Sequence, residues 1–157
     1  MMKRSTHRIL TTHCGSLPRP NDLIEMLMAR EQDRLPDMPA FHARVREAIG
    51  ECVRTQLDTG LDIINDGEWS KPDYSTYVKH RFTGFEGEPT PPNTGRDMLD
   101  FPEFAPYRRT GLQQPTHPKC NGPIAWKDFD AVRRDIDNLK AAAGNDEEVF
   151  MTAVSPG

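Results

Sequence analysis

Two carboxylates flank a glycine in the run "LDIINDGEW", residues 61–69. Asp66 and Glu68 stand two residues apart, so on an extended chain both point to the same side. Such a pair can hold a cationic group or divide the roles of general acid and base. The plain alternative is a solvated turn after a strand. A second polar cluster, "HCGSLPRP" at 13–20, sets Gly15 and Ser16 ahead of Arg19. A hydroxyl, the N–H groups of a glycine-led turn and a guanidinium are donors that suit a carboxylate or another anion. Ser16 as a nucleophile would need a base and a G-x-S-x-G elbow, which "CGSLP" does not supply. His13 and Cys14 are neighbours, and neighbours on a strand face opposite ways. They make a poor joint metal set, so no metal ligand and no catalytic residue is assigned.

These residues need elements to position them. The runs 8–14, 61–65, 119–124 and 147–154 read as short apolar strands. "NDLIEMLMAR" reads as a short helix that opens with an N-cap at Asn21 or Asp22. From 40 to 59 the apolar positions Val45, Ala48, Ile49, Cys52, Val53 and Leu57 follow a helical rhythm, and Gly60 closes it. Phe129, Val132, Ile136, Leu139 and Ala143 repeat that rhythm over 127–143, with Gly144 as its end. One or two helical turns are expected between 70 and 85. Residues 84–118 carry seven of the fourteen prolines and read as a long loop, uncommon inside a compact domain and usually functional where found.

Alternating short strands and helices predict parallel βαβ units. The expected order is 8–14, 61–65, 119–124 and 148–154, each strand beside the next. Small and polar residues end these strands: "HCGS", "NDGE", "NGP" and "VSPG". Ligands of parallel α/β folds bind at that carboxyl edge. Ser16 and Glu68 are therefore expected within roughly 10 Å of each other, because adjacent strands lie close.

Composition narrows the function further. The chain has 157 residues, enough for a single domain with a core, and a formal net charge of -4. No basic stripe is available for phosphates, which argues against nucleic-acid binding. No apolar run approaches a membrane span, and the N-terminus lacks the apolar core of a signal peptide. Three cysteines without a CxxC pair read as a reduced, cytoplasmic protein. Cys52 and Cys120 read as core thiols.

The motifs "TTHCGSLPRP", "GLDIINDGEW", "CNGPIAW" and "VFMTAVSPG", taken in that order, resemble the cobalamin-independent methionine synthase family, specifically its catalytic barrel domain and shorter stand-alone relatives. The resemblance runs from about Arg8 to Gly157. It implies a (β/α)₈ TIM-barrel fold, of which this chain would supply about the first four βα units as an N-terminal half. It implies methyl transfer from a methylated folate to the sulfur of homocysteine. By the family pattern, Gly15 and Ser16 would hold the carboxylate of the amino acid. Gly67 and Glu68 would hold the ammonium, and Asp66 beside them could face the same ligand. Gly122 and Pro123 would lie near the pterin. The family's zinc binds the thiolate through a His-x-Cys pair, a Glu and a distal Cys. Those ligands are expected beyond Gly157, so this chain is expected to bind no zinc alone. An open half-barrel should expose apolar surface and could self-associate. The alternative to an enzyme is a non-catalytic fragment or interaction half that keeps part of an amino-acid site.

Overall fold

The structure, a computed structural model, describes residues 2–90, 95–104, 117–145 and 147–154. In chain order its elements are α1 (Asn21–Glu31), α2 (Met38–Asp58), β1 (Ile63–Ile64), a 3₁₀ turn (Thr76–His80), β2 (Gly87–Thr90), α3 (Arg96–Asp100), a second 3₁₀ turn (Pro102–Phe104), β3 (His117–Lys119), α4 (Asp130–Ala143) and β4 (Glu148–Val149). They fall into two compact units, Met1–Ser75 with Phe129–Gly157, and Thr76–Asp128.

The first unit is built on α2. Asp37 caps it by accepting the Ala40 N–H at 2.9 Å, a bond that satisfies one of the orphan donors of a first turn. Phe41, Val45, Ala48, Ile49, Cys52 and Val53 are all buried. Their spacing of one, three and four residues makes a single stripe. Leu23 and Leu27 of α1, Leu139 of α4, Ile64 and Trp69 close over that stripe. Each such side chain contributes roughly 1.5–3 kcal/mol by leaving water. Helix α4 ends at Gly144, whose φ is 73° and whose N–H reaches Lys140 O at 3.0 Å.

The sheet of this unit is parallel. Thr12 bridges Ile63, and β1 pairs with β4 in the register Ile63↔Glu148 and Ile64↔Val149. Ladder bonds run from Ile63 N to Thr11 O and from Phe150 N to Ile64 O. The first strand is pinned at its start by Asp62, which accepts from Thr11 N at 2.8 Å and pairs with Arg8. The Arg8 bond, aided by Thr11, holds the Asp62 carboxyl well below its ordinary range.

Here the expected strand order fails. The strand near 148 lies directly beside the strand near 63, with nothing from 119–124 between them. The parallel sheet thus has three strand segments, not four, and no barrel closes among the described residues. The run read as a third barrel strand instead sits in the second unit, where β3 pairs antiparallel with β2. The cause lies in its residues. Gly84 has a φ of 84°, and a Cβ on it would stand 2.7 Å from Gly122 O and 2.8 Å from Pro123 O. Two backbones cross there at a distance that only glycine permits. Phe82 bridges Trp126 in antiparallel fashion, their rings 4.4 Å apart between centroids. Ile124 and Trp126 remain exposed, which a strand buried on both faces would not allow. Cys120, read as a core thiol, is likewise exposed, whereas Cys52 is buried as expected.

The proline-rich stretch 84–118 contains β2, α3 and the second 3₁₀ turn. Residues 91–94 and 105–116 of it lie outside the described residues, as does Gly157. The turn at Thr76–His80 matches the short helical piece expected after Trp69. No helix among the described residues is long and apolar enough to cross a membrane.

Candidate functional site

Three chain segments of the first unit end at the carboxyl edge of its parallel sheet, and each brings polar groups. After β1 the backbone turns sharply. Gly67 has a φ of 60° and Glu68, a non-glycine residue, a φ of 59°. Successive left-handed residues are rare outside glycine, and local bonds hold this pair. Asn65 Oδ1 accepts from Gly67 N at 2.8 Å, and Asp66 Oδ1 accepts from Glu68 N at 3.1 Å. Asn65 is itself clamped. Its backbone exchanges two bonds with the Gln56 amide, and its Nδ2 donates to His13 O at 2.6 Å. The loop after the first strand is tied to the same turn by Leu17 N to Gly67 O, 3.1 Å, and by Trp69 Nε1 to Leu17 O, 3.1 Å.

This turn puts the Glu68 side chain, 2% exposed, between two hydroxyls. Ser16 Oγ donates to Oε2 at 2.5 Å, and Thr152 Oγ1 donates to Oε1 at 2.8 Å. Ser16 and Glu68, expected to be near neighbours, are thus in direct contact. Ser16 itself is exposed, so one of the two hydroxyls that grip the buried carboxylate belongs to a surface residue. Arg19 adds a cation. Its Nη2 donates to Glu68 O at 2.9 Å and lies 3.5 Å from Ser16 Oγ. Burial pushes the Arg19 pKa down, against the pull of Glu68, Asp73 and Asp66.

Asp66 takes a different place from the one its spacing suggested. The chain is not extended at 66–68, so its carboxylate does not stand parallel to that of Glu68. It is 1% exposed and lies 3.7 Å from Lys71 Nζ. Lys71, also buried, donates to Thr152 O at 3.2 Å. Burial raises the Asp66 pKa, with Lys71 opposing. Its Oδ2 has no hydrogen-bond partner among the described residues, and neither has the buried Ser70 Oγ. Tyr74 OH donates to Ala153 O at 2.7 Å, a further tie to the end of the third segment.

Of the residues singled out in the sequence, the structure brings Gly15, Ser16, Asp66 and Glu68 to one edge. Gly122 and Pro123 do not follow a strand of this sheet; they belong to the other unit, against Gly84. Expected after a third strand of the parallel sheet, they instead follow β3 of an antiparallel pair. His13 turns its Nε2 to Gly15 O at 3.1 Å, and Cys14 is exposed. Among the described residues no three His, Cys, Asp or Glu side chains come together as a metal set. Thr152 and Lys71 were missed from sequence. The available signal was a hydroxyl at the carboxyl end of the last strand, "MTAV".

Comparison with known proteins points one way. No family profile matches the chain. The methionine synthase of Thermococcus kodakarensis is 34% identical over 76 residues, 48% of this chain and 22% of that protein. The methionine synthase of Pyrococcus furiosus is 32% identical over the same length and shares. The 5-methyltetrahydropteroyltriglutamate–homocysteine methyltransferase of Lactococcus lactis is 26% identical over 151 residues, 84% of this chain and 19% of that protein. Among solved structures, the B12-independent methionine synthase from Shewanella sp. W3-18-1, in complex with selenomethionine, superposes with a TM-score of 0.60 at 18% identity, over 91% of this chain and 37% of that one. At that identity the match speaks for a shared mixed α/β fold. The chain spans about a fifth of the curated relatives it matches. It is a distant homologue of part of the cobalamin-independent methionine synthase family.

Proposed function

We propose that the first unit corresponds to the opening strands of a methionine-synthase-type (β/α)₈ barrel and binds the amino-acid end of a homocysteine-like thiol. The observation that carries this reading is the buried Glu68 carboxylate, gripped by Ser16 and Thr152 at the carboxyl edge of the sheet. A carboxylate kept out of bulk water beside the exposed Ser16 suits an ammonium that displaces that hydroxyl. In the donor's presence the family reaction would move a methyl group from a methyl-folate to the thiol. This chain's residues bind and orient the acceptor; none of those described is assigned the activation of sulfur. Self-association through the open sheet belongs to the same proposal and would be read by sedimentation.

The test is calorimetric titration of the purified chain with L-homocysteine and L-methionine. Glu68→Gln keeps the size of the side chain but removes its charge. It should weaken both ligands roughly ten- to a hundredfold, the range for a hydrogen bond to a charged group. Absence of binding by the wild-type chain, or equal affinity in the variant, would overturn the reading.

A further inference from the structure

We propose that Lys71 is a positioning residue: it holds the Thr152 hydroxyl against the Glu68 carboxylate without itself touching a ligand. The inference rests on the reading above for what the carboxylate meets, and adds what keeps that carboxylate in place.

Lys71 touches the backbone of both partners of the Glu68–Thr152 contact. Its N–H donates to Glu68 O at 3.1 Å, and its Nζ donates to Thr152 O at 3.2 Å. The same two residues meet through their side chains, Thr152 Oγ1 donating to Glu68 Oε1 at 2.8 Å. Strand β4 ends at Val149, and its ladder continues as Phe150 N to Ile64 O. Past that bond, side chains tie the segment to the turn: Lys71 Nζ at Thr152 O and Tyr74 OH at Ala153 O.

The Lys71 side chain is 4% exposed, and Asp66, at 1%, stands 3.7 Å from its Nζ. A buried ammonium is costly unless it is paired and hydrogen-bonded, so both contacts resist displacement. Asp66 in turn accepts from Glu68 N at 3.1 Å. One cation therefore secures the turn, through Asp66 and Glu68 O, and the strand end, through Thr152 O. The consequence falls on Glu68. Its other hydroxyl partner, Ser16, is exposed, and an entering ammonium displaces that hydroxyl. Thr152 is then the hydroxyl that still fixes the carboxylate.

The competing role for Lys71 is only to neutralise Asp66. Lys71→Met alone would strand a buried charge, which is strongly destabilising. The variants are therefore built on Asp66→Asn, which needs no cation and still offers an acceptor to Glu68 N–H. On this background of the full chain, Thr152→Val should raise the unfolding constant in urea roughly tenfold, as for a lost hydrogen bond to a charged group. Beside Lys71→Met the same change should raise it less than about twofold, because residues in one network do not add. In calorimetry Lys71→Met should weaken L-methionine roughly tenfold, with no further loss when Thr152→Val is added. Lys71→Arg, which keeps a charged donor, should restore part of the affinity. Additive costs in unfolding would overturn the proposal. So would an affinity that ignores Lys71→Met; in that case the site reading stands and only the role of Lys71 falls. If Asp66→Asn itself abolishes binding, the unfolding cycle decides the role alone. If the wild type binds no L-methionine, both readings fall together.

Discussion

Replacing Gly67 by alanine tests whether the turn after β1 is built as described. Two costs add. The residue has a φ of 60°, and holding an L-residue with a Cβ there costs about 1–2 kcal/mol. The new Cβ would also stand 2.7 Å from Cys52 Sγ and 3.1 Å from both Trp69 Cδ1 and Nε1. Cys52 sits in the core, and forcing extra volume into a packed core costs about 1–3 kcal/mol. The sum is roughly 2–5 kcal/mol, a large share of the 5–15 kcal/mol by which domains are typically stable. Gly60→Ala is the internal control. Its φ is 85°, yet nothing lies within 4 Å of its added Cβ, so it should show the backbone cost alone, about 1–2 kcal/mol. Urea unfolding of both variants, with the slope against denaturant unchanged, gives the difference directly. The Gly67 variant should be the less stable by about 1–3 kcal/mol. Equal stabilities would refute the close approach of the 65–69 turn to α2.

Two further outcomes follow from the electrostatics. Burial raises the Asp66 pKa in the folded protein, so the folded state holds this proton more tightly than the unfolded chain does. Stability tied to the group is therefore present at low pH and lost as pH rises from the unfolded value, about 4, through the raised folded one. Asp66→Asn should remove that loss while its retained oxygen still accepts from Glu68 N–H, so its stability relative to wild type should rise with pH; a difference that is flat with pH would count against the buried carboxylate. Burial also pushes the Cys52 thiol up to about 11, whereas Cys14 and Cys120 are exposed, so a thiol reagent at neutral pH should label Cys14 and Cys120 in the folded chain and Cys52 only on unfolding. Prompt labelling of all three would contradict the packing of α2.

Local elements were legible in the residues because their causes are local. The stripe from Val45 to Val53 forms one helical face whatever surrounds it, and the structure places α2 there, with Asp37 as its cap. The apolar run at 61–65 followed by "DGE" marked both a strand and a polar edge. The contact of Ser16 with Glu68 followed from setting two strand ends side by side. What tertiary structure alone decided is which strand meets which. Closing a longer loop adds little to the entropic cost, so chain order did not reveal that β4 would skip past 76–128 to reach β1. The run 119–124 has apolar residues enough for a strand, but the crossing of Gly84 over Gly122 and Pro123 sends it into an antiparallel pair. Thr152 reaches Glu68 across 84 residues, and no period in the sequence encodes that contact. Side-chain period reports which face of an element is apolar; the partner of that face is chosen only when the remaining elements have packed.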